Sequence, residues 1–197
     1  MDAKRIFFVG VGGQGNILAT KLVGEAALVA GIPVRISETH GMAQRGGVVE
    51  STAVIGAASP IISDYTSDVI IAFEPLEGLR ALAKANSDTT VIMSVSCITP
   101  FTVAIGRSSY PDVRQAIDYI KGKVKKVVAF DAMAVAMAVN NPMGVNMVMV
   151  GALYGSGILP LSEQNFIQAI KTTTKSVFLE KNIACFEGGV NAFKNAV

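Results

Sequence analysis

Lys4–Ser37 reads KRIFFVGVGGQGNILATKLVGEAALVAGIPVRIS. Lys4–Val9 is a short apolar run that breaks at Gly10, and Asn16–Ala30 then changes to helical spacing. In that second segment Ile17, Leu18, Leu22 and Ala26 fall on one face, while Lys21 and Glu25 sit together on another. Gly31 is a helix stop, and Pro33–Ser37 reads as a second strand. Strand, glycine turn, helix and strand in this order predict a βαβ unit.

Outward from it, alternating or continuous apolar runs predict strands at Val48–Gly56, Asp68–Phe73, Thr90–Val95 and Lys126–Phe130. Helical spacing marks Leu76–Lys84, Pro111–Gly122, Ala132–Val139, Gly144–Gly155, Ser162–Thr174 and Ser176–Phe186. Ser162 followed by Glu163 has the form of an N-cap with an acidic first turn. The expected fold is α/β and Rossmann-like, a mostly parallel sheet flanked by helices, with a helical C-terminal third. No linker, repeat or charge block divides the chain, so residues 1–197 are expected to form a single domain.

Composition narrows the function classes. Of 197 residues, 51% are hydrophobic and 16% charged, which excludes disorder. Seventeen basic against fifteen acidic residues leave a net charge of +2, against a nucleic-acid surface. Two cysteines, Cys97 and Cys185, and one histidine, His40, are too few for a cluster, a zinc ribbon or a His-rich metal site. Mean hydropathy is +0.47. The longest uncharged stretch, Ala132–Ser162, is interrupted at Asn140–Gly144 and at Gly155–Gly157. Its apolar pieces fall short of the ~20 residues a membrane helix needs. The expectation is a cytoplasmic protein without a membrane anchor, whose apolar excess points to a permanent partner.

Two motifs carry candidate chemistry. Gly10-Val11-Gly12-Gly13-Gln14-Gly15 satisfies G-x-G-x-x-G between a strand and a helix, where a helix N-terminus can receive an anion. Glu38, at the end of the second predicted strand, stands where a dinucleotide site wants its ribose anchor. Equally, the glycines serve close packing of helix on strand, and both readings stay open at this point. The second motif, Glu38-Thr39-His40-Gly41-Met42-Ala43-Gln44-Arg45-Gly46-Gly47, belongs at the carboxyl edge of the sheet beside the first. Arg45 before two glycines could offer a planar fork and free backbone amides to a phosphate or carboxylate, and His40 adds an imidazole, a side chain whose ordinary pKa lies near neutral pH. Binding or interface work fits this loop better than catalysis. No second histidine, serine elbow or carboxylate pair completes a catalytic set, so neither a catalytic nor a metal residue is assigned. Of the remaining features, Met133/Met137 and Met143/Met147 read as packing or interface pairs and Cys97 as an inert core thiol. Asp131 reads as an N-cap, as do the asparagines Asn140, Asn141 and Asn146 around Pro142.

Five stretches together carry a resemblance: GVGGQGNILATKLVGEAALVAG (Gly10–Gly31), SETHGMAQRGG (Ser37–Gly47), ISDYTSDVIIAFEPLEGLRAL (Ile62–Leu82), NMVMVGALYGSGILP (Asn146–Pro160) and NIACFEGG (Asn182–Gly189). Over nearly its whole length the chain resembles the gamma component of the 2-oxoacid:ferredoxin oxidoreductases. HGMAQRGG is similar to the indolepyruvate branch and departs from the YGPExRGG-like loop of the pyruvate and 2-oxoglutarate types. The resemblance implies an enzyme complex that decarboxylates a 2-oxoacid on thiamine diphosphate and passes electrons through 4Fe–4S clusters to ferredoxin, releasing an acyl-CoA. It further implies that this chain binds no cofactor alone. Thiamine diphosphate, Mg and the clusters would sit on a larger partner subunit, with CoA as co-substrate. Gly12, Gly13, Gln14, Gly15, His40, Gln44, Arg45, Gly46 and Gly47 would face that subunit or the CoA side of its active site. The isolated chain would be inactive, with self-association left open. Two rivals are carried forward: a free-standing NAD(P)-binding Rossmann protein using Gly10–Gly15 and Glu38, and a homodimeric scaffold without a ligand.

Overall fold

Ile6, Phe7, Phe8 and Val9 are all buried, which a strand achieves only when both faces of its sheet are covered. The computed structural model describes residues 2–40 and 47–196, without the side chains of His40 and Phe101. In chain order the elements are β1 (Lys4–Val11), α1 (Asn16–Val29), β2 (Val34–His40), β3 (Val48–Ile55), β4 (Val69–Ala72) and α2 (Pro75–Arg80), which runs into a 3₁₀ turn at Ala81–Lys84. There follow β5 (Thr90–Ser94), α3 (Phe101–Ala104), α4 (Val113–Lys121), β6 (Lys126–Phe130) and α5 (Ala132–Ala138). A second 3₁₀ turn, Pro142–Gly144, leads to α6 (Val145–Gly155), α7 (Glu163–Thr173) and α8 (Ser176–Asn195).

Ile6 and Phe8 enter one core with α1 and α5–α8, while Phe7 and Val9 enter a second with the α2 and α4 side. The same alternation sends Val69 and Ile71 one way and Ile70 and Ala72 the other. The sheet order is β2-β3-β1-β4-β5-β6. β1, β4, β5 and β6 are parallel neighbours, and β3 is antiparallel to both β1 and β2. The α/β, mostly parallel expectation is met, with one correction. The β1–α1–β2 connection is not a βαβ unit of adjacent strands, because β3 folds back and inserts between β1 and β2. Tight hairpin register, His40 against Val49 and Val34 against Ile55, holds it there.

The C-terminal third is helical as expected, and α8 runs nine residues past the predicted Phe186 to Asn195. α6 and α8 cross at glycines. A Cβ on Gly151 would lie 1.9 Å from the Phe186 carbonyl oxygen, and one on Gly189 would lie 1.9 Å from that of Val148. Tyr154, Phe166 and Phe186 lock α6, α7 and α8 together, their ring centroids 5.5–5.7 Å apart. On α1 the predicted apolar face is half right. Leu22 and Ala26 are buried, but Leu18 is 60% exposed.

Candidate functional site

The glycine turn after β1 is built around Gln14. Its Oε1 accepts from the Val11 backbone N–H at 2.8 Å, and its Nε2 donates to the Phe73 carbonyl at 2.9 Å. The side chain therefore clamps the turn to the residue following β4, with both of its polar ends occupied. Gly10 makes room for the clamp, since a Cβ there would sit 2.8 Å from Gln14 Oε1 and 2.9 Å from Phe73 Cβ. Gly13 and Gly15 adopt left-handed backbone, φ 102° and 82°, which favours glycine at both places.

The second motif meets the first at one bond: the Gly12 N–H donates to the Gly47 carbonyl at 2.9 Å. Asn16, buried at the start of α1, donates from Nδ2 to the Val49 carbonyl at 2.7 Å and ties the same loop's root to the helix. The structure thus brings Gly12, Gly13, Gln14, Gly15 and Gly47 together at the carboxyl edge of the sheet. His40 ends β2 on the same edge. Gln44, Arg45 and Gly46 lie outside the described residues, as does the side chain of His40. Glu38 does not serve the glycine turn: β3 separates its strand from β1, and its carboxylate lies 3.5 Å from Lys21 Nζ. That arrangement removes the ribose anchor from the NAD(P) reading.

A buried acid cluster on the same edge escaped the sequence reading. Glu74, 1% exposed, caps α2 by accepting from the Glu77 N–H at 3.0 Å and also accepts from Ile98 N–H and from the Tyr110 hydroxyl. Burial, reinforced by the Glu74 carboxylate and the Cys97 thiol beside it, pushes the Tyr110 phenol up. Glu77 is 3% exposed; its Oε1 accepts from Arg80 at 2.7 Å, while Oε2 has no partner among the described residues. Burial raises its pKa, Glu74 and Glu50 add to the rise, and the Arg80 guanidinium opposes it. The available signal was FEPLE, an acid just before a proline at a helix start.

Cys97 corrects the reading of an inert core thiol. β5 ends at Ser94, and Cys97 is exposed on the loop that follows. Cys185 is the buried thiol, raised by burial, with Asn141 Nδ2 at 3.5 Å working the other way. Asp131 caps α5 as expected, accepting from Ala134 N–H at 2.9 Å, and Ser162 with Asn165 forms a full capping box on α7. Neither Asn141 nor Asn146 caps a helix by its side chain. Met133, Met137 and Met143 are exposed and Met147 is buried.

A six-stranded sheet with helices packed on both faces, and with the clamped glycine turn and the β2–β3 connection on one edge, defines a small α/β component. The chain belongs to the pyruvate ferredoxin/flavodoxin oxidoreductase family, whose model matches residues 5–192. It is 36% identical to the indolepyruvate oxidoreductase subunit IorB of Methanothermobacter thermautotrophicus, over 95% of this chain and 96% of that one. It is likewise 36% identical to the IorB of Archaeoglobus fulgidus, over 94% and 93%. Among solved structures, the keto/oxoacid ferredoxin oxidoreductase gamma subunit of Geobacter sulfurreducens superposes with a TM-score of 0.72 at 22% identity, covering 98% of this chain and 99% of that one. The 2-oxoglutarate:ferredoxin oxidoreductase of Magnetococcus marinus, solved with 2-oxoglutarate, coenzyme A and succinyl-CoA bound, gives 0.73 at 20% identity. There the match takes in all of this chain and 32% of the larger one. The expected family and its indolepyruvate-type relatives are both met, and the NAD(P) alternative falls away.

Proposed function

We propose that this chain, acting as a single domain in the cytoplasm, is the non-redox small subunit of an aryl 2-oxoacid (indolepyruvate) ferredoxin oxidoreductase. It completes the complex that oxidatively decarboxylates the 2-oxoacid to an acyl-CoA. The observation that carries the reading is the end-to-end match to IorB subunits. In this reading thiamine diphosphate, Mg and 4Fe–4S clusters reside on the larger subunit, CoA is co-substrate, and ferredoxin accepts the electrons. Two cysteines and one histidine are too few to hold a 4Fe–4S cluster. One cysteine is exposed and one buried, and among the described residues no three His, Cys, Asp or Glu side chains gather as metal ligands. Its work is positional: Gln14 fixes the glycine turn, the Gly12–Gly47 bond ties that turn to the end of the loop, and His40, Gln44, Arg45 and Gly46 on the loop meet the larger subunit or the CoA beside it.

The test is an anaerobic native purification of the chain with mass spectrometry of what accompanies it. A thiamine-binding, cysteine-rich partner in near-equal amount, with indolepyruvate- and CoA-dependent reduction of ferredoxin by the pair, is the expected result. A chain that purifies alone, and adds nothing to the turnover of any such enzyme, overturns it.

A further inference from the structure

Side-chain caps close the N-termini of α2, α4, α5 and α7, through Glu74, Asp112, Asp131 and Ser162. At α1, α6 and α8 the capping residues are Gly15, Gly144 and Lys175, with no side-chain cap. The first turns of these three helices line one cleft of about 580 Å³, with Leu18, Met143, Asn146, Lys175 and Phe178 among its walls. Small-molecule sites usually fall between roughly 300 and 1,000 Å³.

Three features define what fits there. Lys21 and Lys175 line the cleft, and among the described residues no acidic side chain does. Lys21 is engaged by Glu38, whereas Lys175, the N-cap residue of α8, makes no ion pair among the described residues. Asn146 is 6% exposed; its Oδ1 accepts from Met147 N–H at 3.0 Å, and the hydrogen bonds among the described residues leave Nδ2 without an acceptor. That nitrogen lies close against the first turn of α1, 3.2 Å from where a Gly15 Cβ would stand. Finally, Leu18, Met143 and Phe178 are 60%, 84% and 52% exposed, a concentration of large apolar side chains that an occupant would cover.

We propose that this cleft binds a small aryl or alkyl carboxylate. The carboxylate sits at the uncapped helix starts with Asn146 Nδ2 and Lys175, and the apolar body lies on Leu18, Met143 and Phe178. A single free lysine and a mainly apolar wall select a monoanion over a polyphosphate. The site lies where α1, α6 and α8 begin, next to the glycine turn at Gly15, and binding is read on the chain by itself, so failure of the subunit reading would not remove it.

The test titrates the full chain calorimetrically with phenylacetate, with neutral phenylacetamide and inorganic phosphate in parallel. Phenylacetate is expected to bind at one site, about tenfold or more tighter than the amide. Lys175→Met is expected to weaken it about three- to fivefold. Methyl NMR on the unsubstituted protein gives a readout free of folding effects: the Met143 and Met147 signals shift on addition of phenylacetate, while Met133 and Met137 stay in place. No saturable heat, equal affinity for the amide, or phosphate binding as tightly as phenylacetate each overturn the proposal. So does binding that vanishes when the chain is assembled with its partner, because the cleft is then a docking face.

Discussion

Where α6 crosses α8, Gly151 and Gly189 bring backbone against backbone, and the aromatic trio seals the contact. At the carboxyl edge, Gly10, Gly13 and Gly15 let the chain turn, and the order comes from polar groups: Gln14 at both its ends, Gly12 on Gly47, Asn16 on Val49. One region is held by shape and the other by a few directed bonds. The first tolerates no added atom. The second loses one bond at a time.

Gly151→Ala should show the largest effect, since its methyl would stand 1.9 Å from Phe186 O and force two helices apart. A loss of about 3 kcal/mol or more in urea unfolding, or failure to fold, is the expected outcome. If the variant unfolds like the parent, the helices are not locked as described. Gln14→Ala should cost about 2 kcal/mol, because the buried Val11 N–H and the Phe73 carbonyl both lose their partner. Denaturant midpoints, with Gln14→Glu as a second probe of the clamp, decide this. Arg45→Ala should leave the unfolding free energy within about 0.5 kcal/mol of the parent and lower turnover of the reconstituted complex about tenfold or more. Unchanged turnover would remove the loop from the site.

The smallest effect concerns Glu77 and is read as a pH trend. Its folded pKa is raised by burial above the ordinary 4.5, so the folded state holds the proton more tightly than the unfolded one. The stability this contributes is complete below 4.5 and is lost as pH rises through the raised value. Glu77→Gln should therefore gain on the parent as pH climbs from 4.5 upward, in melting temperature measured across that window. A difference independent of pH would show that burial does not raise the Glu77 pKa in the folded state.

The sequence made the strands legible because a sheet covered on both faces leaves unbroken apolar runs, as in DVIIAF and TVIMS. Strand order was not legible. Nothing in VVESTAVI says that it pairs with β1 as well as β2, since both registers expose compatible faces. Both motifs could be placed at one edge from their position after strands, and the Gly12–Gly47 contact bears that out. The clamp made by Gln14 was not legible, because the Phe73 carbonyl that its amide meets lies far along the chain on another strand end. Cys97 was misjudged in burial: the apolar look of VIMSVSCI continues past Ser94, where the ladder with β6 ends. Leu18 shows the same error on a helix, since helical spacing finds apolar positions but does not say which of them the core uses.

The exposure of Cys97 has a practical side. Of the chain's two thiols, Cys185 is sealed at 0% exposure, so a maleimide dye would attach at one place without any substitution. That place lies on the same edge as the glycine turn and the hairpin loop. The native protein thus carries its own labelling handle there, and protection of this thiol during assembly would report docking in real time.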